Sequence, residues 1–394
     1  MIFNFDPSKF VNMLENGKVK SHELEKFMSI DEAMIVRQRF YGMRQLTISG
    51  QDCNKNCENL CAFLQIPIGI APNLIVNNRS YNLPLATTEA ALVASISRGC
   101  KVIREAGGLH ANCEDVGMTR SCILETSSLS ETLSLKRWIQ TNERRIRDAF
   151  EMVSDHMELI STEIKECGKL LFVCFRALTG SAMGMNMVTR GATNAILFIT
   201  ENVTYASFVS VSGNLCVDKK QNAKNWLSGR GKHVSADIKI SADVVKRHLK
   251  CSVDQIVHAH TCKCLIGSAL AAGGPGSQNA QASNVISAIF AATGQDLGQV
   301  ITSSICLTTA EACKDGSLHF SCLIPSLEVG VIGGGTALPM QHECLRMLLG
   351  EELNVKEFAC IVAGAVMAGE LSLLAALVTN DLARSHDKLS GREN

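Results

Sequence analysis

From Phe358 to Val378 the chain is almost wholly apolar, and a stretch of that length is long enough to cross a bilayer. No other segment restricts the fold so strongly, because a helix apolar on every side needs either lipid or a thick protein core around it. Two features favour the core. Glu370 stands in the middle of the run, where a carboxylate costs roughly 2.5–3.5 kcal/mol on insertion scales. Ala363, Gly364, Ala365, Ala368 and Gly369 recur along it and let neighbouring elements pack close. The expectation is a buried central helix, with no membrane insertion by this chain.

A core of that thickness is within reach of the composition. The chain has 394 residues, 46% hydrophobic and 19% charged, which suits two or three ordered domains. Lysine plus arginine and aspartate plus glutamate balance at 38 each, which argues against a nucleic-acid partner. Seventeen cysteines are scattered without a small-domain framework, and Met1-Ile2-Phe3-Asn4-Phe5-Asp6 shows no secretory signal. Buried thiols in a reducing, cytoplasmic setting are expected.

Along the chain, helical spacing predicts short helices at Lys9–Glu15, Ser21–Met28 and Ser29–Tyr41, and Asp52–Cys61 reads as a linker. Ile66–Asn73 is turn-rich. Thr87 or Thr88 can cap a helix through Ala90–Ile96, which puts Glu89 in its first turn. Between about Ser121 and Ser210 the composition changes. Helices are expected near Leu133–Gln140 and Glu143–Lys165, then a strand at Lys169–Phe175, then Thr179–Met187 leading into a helix to about Phe198. This reads as an α+β unit inserted in a larger one.

The sequence has no G-x-x-x-x-G-K-[ST] loop and no G-x-G-x-x-G after a strand. His258-Ala259-His260-Thr261-Cys262-Lys263-Cys264 invites a metal reading. On a strand, however, the four side chains sit about 7 Å apart at i, i+2, too far to close a tetrahedron, and no metal is assigned. Three other constellations carry polar chemistry: Ser212–Lys220, with two lysines after Asp218; Gly294-Gln295-Asp296-Leu297-Gly298-Gln299 after the apolar helix Ala280–Ala292; and Arg384-Ser385-His386. Singly, each has a plain alternative as a solvated charge run, a loop carboxylate or a helix cap.

Taken together, the motifs resemble those of the 3-hydroxy-3-methylglutaryl-coenzyme A reductase family. Pro67–Ala71, Ala86-Thr87-Thr88-Glu89, Val211–Asn214 with Asp218-Lys219-Lys220, and Gly267-Ser268-Ala269 resemble its coenzyme A-side motifs. Ala182-Met183-Gly184-Met185-Asn186-Met187 is similar to its nicotinamide-nucleotide motif. Gly294-Gln295-Asp296, Gly333-Gly334-Gly335-Thr336 and Met367–Leu373 complete the set in the family's order, from about residue 10 to His386. The likeness is closer to the eukaryotic-type catalytic region, without its membrane domain.

The resemblance implies an oxidoreductase that takes 3-hydroxy-3-methylglutaryl-coenzyme A through two hydride transfers to mevalonate and free coenzyme A, in isoprenoid and sterol biosynthesis. Lys219 matches the lysine that meets the developing oxyanion, Glu89 a proton donor, Asp296 the aspartate linking those two, and His386 the histidine that protonates the departing thiolate. Arg120, Ser212, Asp218, Lys220 and Lys263 match positions that grip substrate, with Arg98 and Asn284 near the active site. Ser181, Met183, Gly184, Met185 and Asn186 match nucleotide-binding positions, and Ser154 and Asp155 fall in the 2′-phosphate region. NADPH is the implied cofactor.

Departures from the family pattern are also visible. Ser181 stands for an aspartate, Gln281 for a histidine and Val300 for an asparagine, and Asp155 aligns with an arginine. A carboxylate there would repel a 2′-phosphate and suits a ribose hydroxyl, so the first rival is the same scaffold preferring NADH or running oxidatively. A non-catalytic binder of coenzyme A esters is a second rival, and a metal-dependent enzyme at 258–264 a third.

The expected architecture is α+β: a helical N-terminal region (1–50), a large substrate domain (51–120 and 211–394) around the long buried helix, and an inserted ferredoxin-like cofactor domain (121–210). A homodimer or homotetramer is expected. It would be cytoplasmic, or the cytosol-facing catalytic region of a longer membrane-anchored protein.

Overall fold

The computed structural model describes residues 6–19, 21–40, 57–271 and 273–379. They form two compact units, one within Met1–Pro67 and one within Ile68–Asn394. In the first, the helix Pro7–Glu15 starts with proline at its opening turn and with the Asp6 carboxylate accepting the Ser8 N–H at 3.0 Å. A 3₁₀ turn, Ser21–Lys26, leads to the helix Ile30–Phe40, whose start is a capping box between Ser29 and Glu32. Leu14, Val19, Leu24, Ala33 and Val36 make the small core. Fully buried Arg37 crosses it, forking onto both Glu25 oxygens at 2.6 and 2.7 Å and onto the Leu60 carbonyl at 2.8 Å.

The second unit carries nine strands among the described residues: β1 Ile68–Val76, β2 Arg79–Ala86, β3 His110–Glu125, β4 Glu158–Cys167, β5 Leu170–Leu178, β6 Ser207–Ser210, β7 Gly231–Ile240, β8 Leu307–Ala312 and β9 Leu318–Leu327. The stretch expected as turns, Ile66–Asn73, lies mostly in β1. It pairs antiparallel with β2 through Asn77-Asn78 at φ 50° and 65°, the left-handed pair that a two-residue hairpin needs. The remaining strands form one sheet in the order β4-β5-β3-β7-β9-β8, with β6 beside β3.

β3 is the spine of that sheet. Its residues His110–Gly117 pair with β7, and Met118–Glu125 pair with β5. The change of composition near residue 121 therefore falls inside a continuous strand. Two cores flank it. One gathers Met118, Cys122, Leu135, Phe150, Phe175 and Ile196, and the other surrounds the long apolar helix. The helix expected over Glu143–Lys165 stops at Glu151, and a turn followed by β4 takes the rest. The run Glu158-Leu159-Ile160-Ser161-Thr162 is β-branched at its centre, and pairing with β5 outweighs its helical charge spacing.

The apolar run is a helix, Val355–Val378, and 83% of its most apolar window is buried inside the protein. It packs on the helix Leu92–Glu105 so closely that a Cβ on Gly99 would sit 1.9 Å from the Ala368 carbonyl oxygen. Glu370 is fully buried and satisfied: its two oxygens accept the N–H groups of Ala280 and Gln281, each at 2.6 Å. It thereby caps the helix Ala282–Thr293, whose own N-cap residue makes no side-chain capping bond. Burial raises the Glu370 carboxyl to about 7, opposed by those N–H groups and by Lys263.

The His258–Cys264 segment is not a strand. A helix, Val253–His260, opens with a Ser252/Gln255 capping box and widens into a π-type turn over Thr261–Gly267. The strand spacing used against a metal there does not apply. His260 turns inward to Thr308 Oγ1 at 3.0 Å, and Cys262 Sγ lies 3.7 Å from His258 Nε2. Among the described residues no three His, Cys, Asp or Glu side chains converge as an ion site. Cys100, Cys122 and Cys306 are buried free thiols, and burial pushes Cys100 and Cys122 up to about 12.

Candidate active site

The loop after β6 passes three times through the left-handed region, at Asn214 (φ 58°), Val217 (φ 52°) and Lys219 (φ 57°). Bulky residues adopt that conformation only where surrounding structure holds it. The bends at Val217 and Lys219 throw consecutive side chains apart. Asp218 points inward, where Oδ1 accepts Gln299 Nε2 at 2.8 Å and pairs with Arg230 at 3.2 Å, while Oδ2 lies 3.8 Å from Arg120. Lys219 points outward, and its Nζ meets Asp296 Oδ2 at 2.9 Å. The other Asp296 oxygen accepts the Gly298 N–H at 2.9 Å and caps the short turn Leu297–Gln299. Both side chains of this pair are substantially exposed, 48% for the lysine and 37% for the aspartate, so a ligand can reach the ammonium.

Glycine makes the approach possible. A Cβ on Gly298 would lie 3.1 Å from Lys219 Cδ and Cε, and one on Gly294 (φ 70°) would lie 2.2 Å from the Gly335 carbonyl oxygen. The Gly-Gln-Asp loop therefore seats directly on the Gly333-Gly334-Gly335 loop.

Glu89 sits in a turn before the helix that begins at Leu92, not in its first turn. Its N–H is held by Thr87 Oγ1 at 2.9 Å, and Ala91 (φ 73°) is the N-cap. Its carboxylate accepts Asn284 Nδ2 at 2.7 Å. The three-way contact expected of Lys219, Asp296 and Glu89 is thus present as one pair, with Glu89 on Asn284 instead. Among the described residues no hydrogen bond or ion pair joins Glu89 to the other two.

The remaining candidates have other partners. Lys220 Nζ donates to the Asp218 carbonyl at 2.9 Å, and the Ser212 N–H donates to Ser210 Oγ at 3.1 Å. Arg98 donates to Ser372 Oγ at 3.0 Å and to its carbonyl at 2.5 Å, which joins two packed helices. Lys263 is exposed on the π-type turn. Gln281 donates to the Gly369 carbonyl at 2.9 Å, and Val300 packs against the large core. Arg384 and His386 lie outside the described residues.

The nucleotide motif leads into the helix Met185–Asn202. Its N-cap is Gly184 at φ 90°, with no side-chain capping bond, so the N–H groups of its first turn stay available. Ser181 lies before that cap, and its carbonyl accepts the Val331 N–H at 2.9 Å. Gly180 and Ser181 line a cavity of about 860 Å³ with Asp115, Arg79 and residues 349–357. Met183 and Met185 pack on the smaller core, and Asn186 is exposed. Ser154 and the exposed Asp155 occupy the turn between Glu151 and β4, where Ser154 Oγ accepts the His156 N–H at 3.2 Å.

A family model for hydroxymethylglutaryl-coenzyme A reductase matches residues 26–391. This chain belongs to that family. A 3-hydroxy-3-methylglutaryl-coenzyme A reductase of Strongylocentrotus purpuratus is 38% identical over 96% of the chain, and a reductase 2 of Dictyostelium discoideum is 42% identical over 84%. The chain spans 42% of the length of the first and 65% of the second. The class II reductase from Streptococcus pneumoniae, solved bound to NADPH in open conformations, shares the fold. Its TM-score is 0.69 at 18% identity, covering 97% of this chain and 89% of that one.

Sequence reasoning missed what lies beneath the loop. Arg230 is fully buried, donating to Glu328 at 2.5 Å and to Thr119 Oγ1 at 2.9 Å. Glu328 is fully buried too. Burial raises its carboxyl to about 7, with Arg230 opposing. The available signal was Gly229-Arg230-Gly231, a cation between two glycines that both take positive φ (65° and 78°).

Proposed function

We propose that this chain catalyses the four-electron reduction of 3-hydroxy-3-methylglutaryl-coenzyme A to mevalonate and free coenzyme A, with two NADPH. The observation that carries the reading is the Lys219–Asp296 pair at 2.9 Å, open to solvent on a loop whose backbone is locked from below. A fixed ammonium at the carbonyl oxygen stabilises the negative charge that appears there as each hydride arrives. NADPH supplies the hydride. The uncapped head of the Met185–Asn202 helix fits a pyrophosphate through its backbone N–H groups.

After the first hydride, Lys219 holds the hemithioacetal oxygen. The carbon–sulfur bond then breaks, and His386 gives its proton to the leaving thiolate, which departs as a thiol. Lys219 keeps hold of the aldehyde oxygen. Glu89, oriented by Asn284 at 2.7 Å, donates the proton that turns the second alkoxide into the alcohol. Asp218, Arg120, Ser212, Lys220 and Lys263 bind the substrate's carboxylate and hydroxyl end.

The architecture supports a division of labour. We assign the nucleotide to a unit of ferredoxin-like type over 121–210, around the smaller core, and the thioester to 51–120 with 211–394. Leu297, Ile301 and Ile332 are exposed apolar side chains in the segments that carry the site, which supports a homodimer or homotetramer completed at subunit interfaces. A cytosol-facing catalytic region accords with this chemistry.

Steady-state assay of the purified chain with the thioester tests the reading, with NADPH and NADH in separate arms. Two nucleotides oxidised, one thiol and one mevalonate released per thioester are expected. Absence of thioester-dependent oxidation in both arms overturns it.

A further inference from the structure

We infer that Arg230 is a positioning residue for Lys219, acting through Asp218; the inference deepens the activity proposed above. Arg230 carries no exposed surface, and its guanidinium spreads over four separate elements. It donates through Nε to Thr119 Oγ1 at 2.9 Å on β3 and through Nη1 to Glu328 at 2.5 Å just beyond β9. Nη2 reaches Asp218 Oδ1 at 3.2 Å in the loop and Met185 Sδ at 2.8 Å at the head of the nucleotide helix. Thr119 Oγ1 in turn donates to the Cys216 carbonyl at 3.0 Å. The loop is therefore gripped at 216 and at 218, on either side of the strained Val217 and immediately before the strained Lys219.

The grip also fixes the distance between lysine and aspartate. Gln299, fully buried, donates to Asp218 at 2.8 Å, and its own N–H donates to the Asp296 carbonyl at 2.9 Å. Asp218 thus ties the lysine's turn and the aspartate's turn to one point, and Arg230 holds that point. A planar fork sets orientation as well as charge, which a lysine cannot do. Left-handed backbone at two non-glycine residues persists only where neighbours over-determine it. Remove the fork, and the turn relaxes, carrying the Lys219 ammonium away from Asp296.

The test reads Lys219 directly. Its ammonium is half exposed, so an amine-reactive reagent such as acetic anhydride reaches it, and the ion pair with Asp296 slows that reaction. Labelling of Lys219 is followed by mass spectrometry on the full chain for wild type, Arg230→Lys and Thr119→Val. The threonine variant removes both contacts of that hydroxyl, to Arg230 Nε and to the Cys216 carbonyl, at near-constant volume, and it keeps the test alive should the arginine variant not fold. Labelling of Lys219 is expected to be several-fold faster in Arg230→Lys and moderately faster in Thr119→Val. Leu249→Val trims the large core at a residue outside the loop and its partners and should leave the rate as in wild type.

In turnover, Arg230→Lys should lower kcat by roughly tenfold to a hundredfold, as small misplacements of catalytic groups do. Unchanged labelling in the folded Arg230→Lys and Thr119→Val proteins overturns the inference, as does equal acceleration in Leu249→Val. The labelling needs no turnover. Wild type that is inactive on the thioester sinks the proposed activity while the labelling result still decides the positioning role.

Discussion

Two ion pairs lie on opposite sides of one loop, and they are built on contrary terms. Arg230–Glu328 is wholly buried at 2.5 Å, whereas Lys219–Asp296, at 2.9 Å, is half in solvent. Taking charges out of water costs several kcal/mol per ion, so the buried pair must keep both partners and adds little net stability. The exposed pair contributes about 0–1 kcal/mol to the fold and, in the reaction proposed above, trades its partner for a substrate oxygen. The lesson is a separation of duties: geometry is stored where water cannot enter, and chemistry is done where it can.

Substitution should break the two pairs in opposite ways. Lys219→Met is expected to lower kcat by roughly a thousandfold, the scale of losing an oxyanion partner, with the urea midpoint almost unmoved. An active variant would remove the lysine from the chemistry. Arg230→Met should do the reverse to the fold, costing about 3–5 kcal/mol in urea denaturation because Glu328 is left buried and uncompensated. A cost near zero would mean that Glu328 simply takes up a proton.

Glu370 sharpens the contrast, as a buried carboxylate paired with backbone N–H groups instead of a cation. Its carboxyl is raised from 4.5 to about 7. A raised acid contributes stability that is complete below pH 4.5 and is lost as pH climbs toward 7. Relative to Glu370→Gln, the wild type should therefore lose about 3 kcal/mol between those pH values, at 1.36 kcal/mol per unit. Parallel stability–pH curves for the two proteins would refute this. The smallest effect belongs to an exposed charge with no described partner. Asp155→Arg should move the ratio of kcat/KM toward NADPH by roughly tenfold, about 1.4 kcal/mol. An unmoved ratio would place the 2′-hydroxyl or 2′-phosphate elsewhere.

Legibility followed the range of the interactions. The core helix, its mid-run carboxylate and the Asp218-Lys219-Lys220 loop were visible as local pattern, and the neighbours that complete them were not. Residues 158–167 carry helix-like charge spacing but become an edge strand because β5 offers them a ladder. Residues 258–264 alternate like a strand but wind into a helix opened by the Ser252/Gln255 box. Glu89 and Asn284 were both singled out, yet nothing local announced that they would bond to each other across 195 positions of chain.

Sequence alone determined that this chain has a thick core with a helix through it, and which ordered motifs it shares with its family. Periodicity, glycine placement and motif order are properties of neighbours along the chain. Tertiary structure decided which charges are buried and which are left open, because burial is a property of neighbours in space. Arg230 stands between two glycines and Lys219 beside a second lysine. Folding alone made one a fully enclosed anchor and the other a hand held out to solvent.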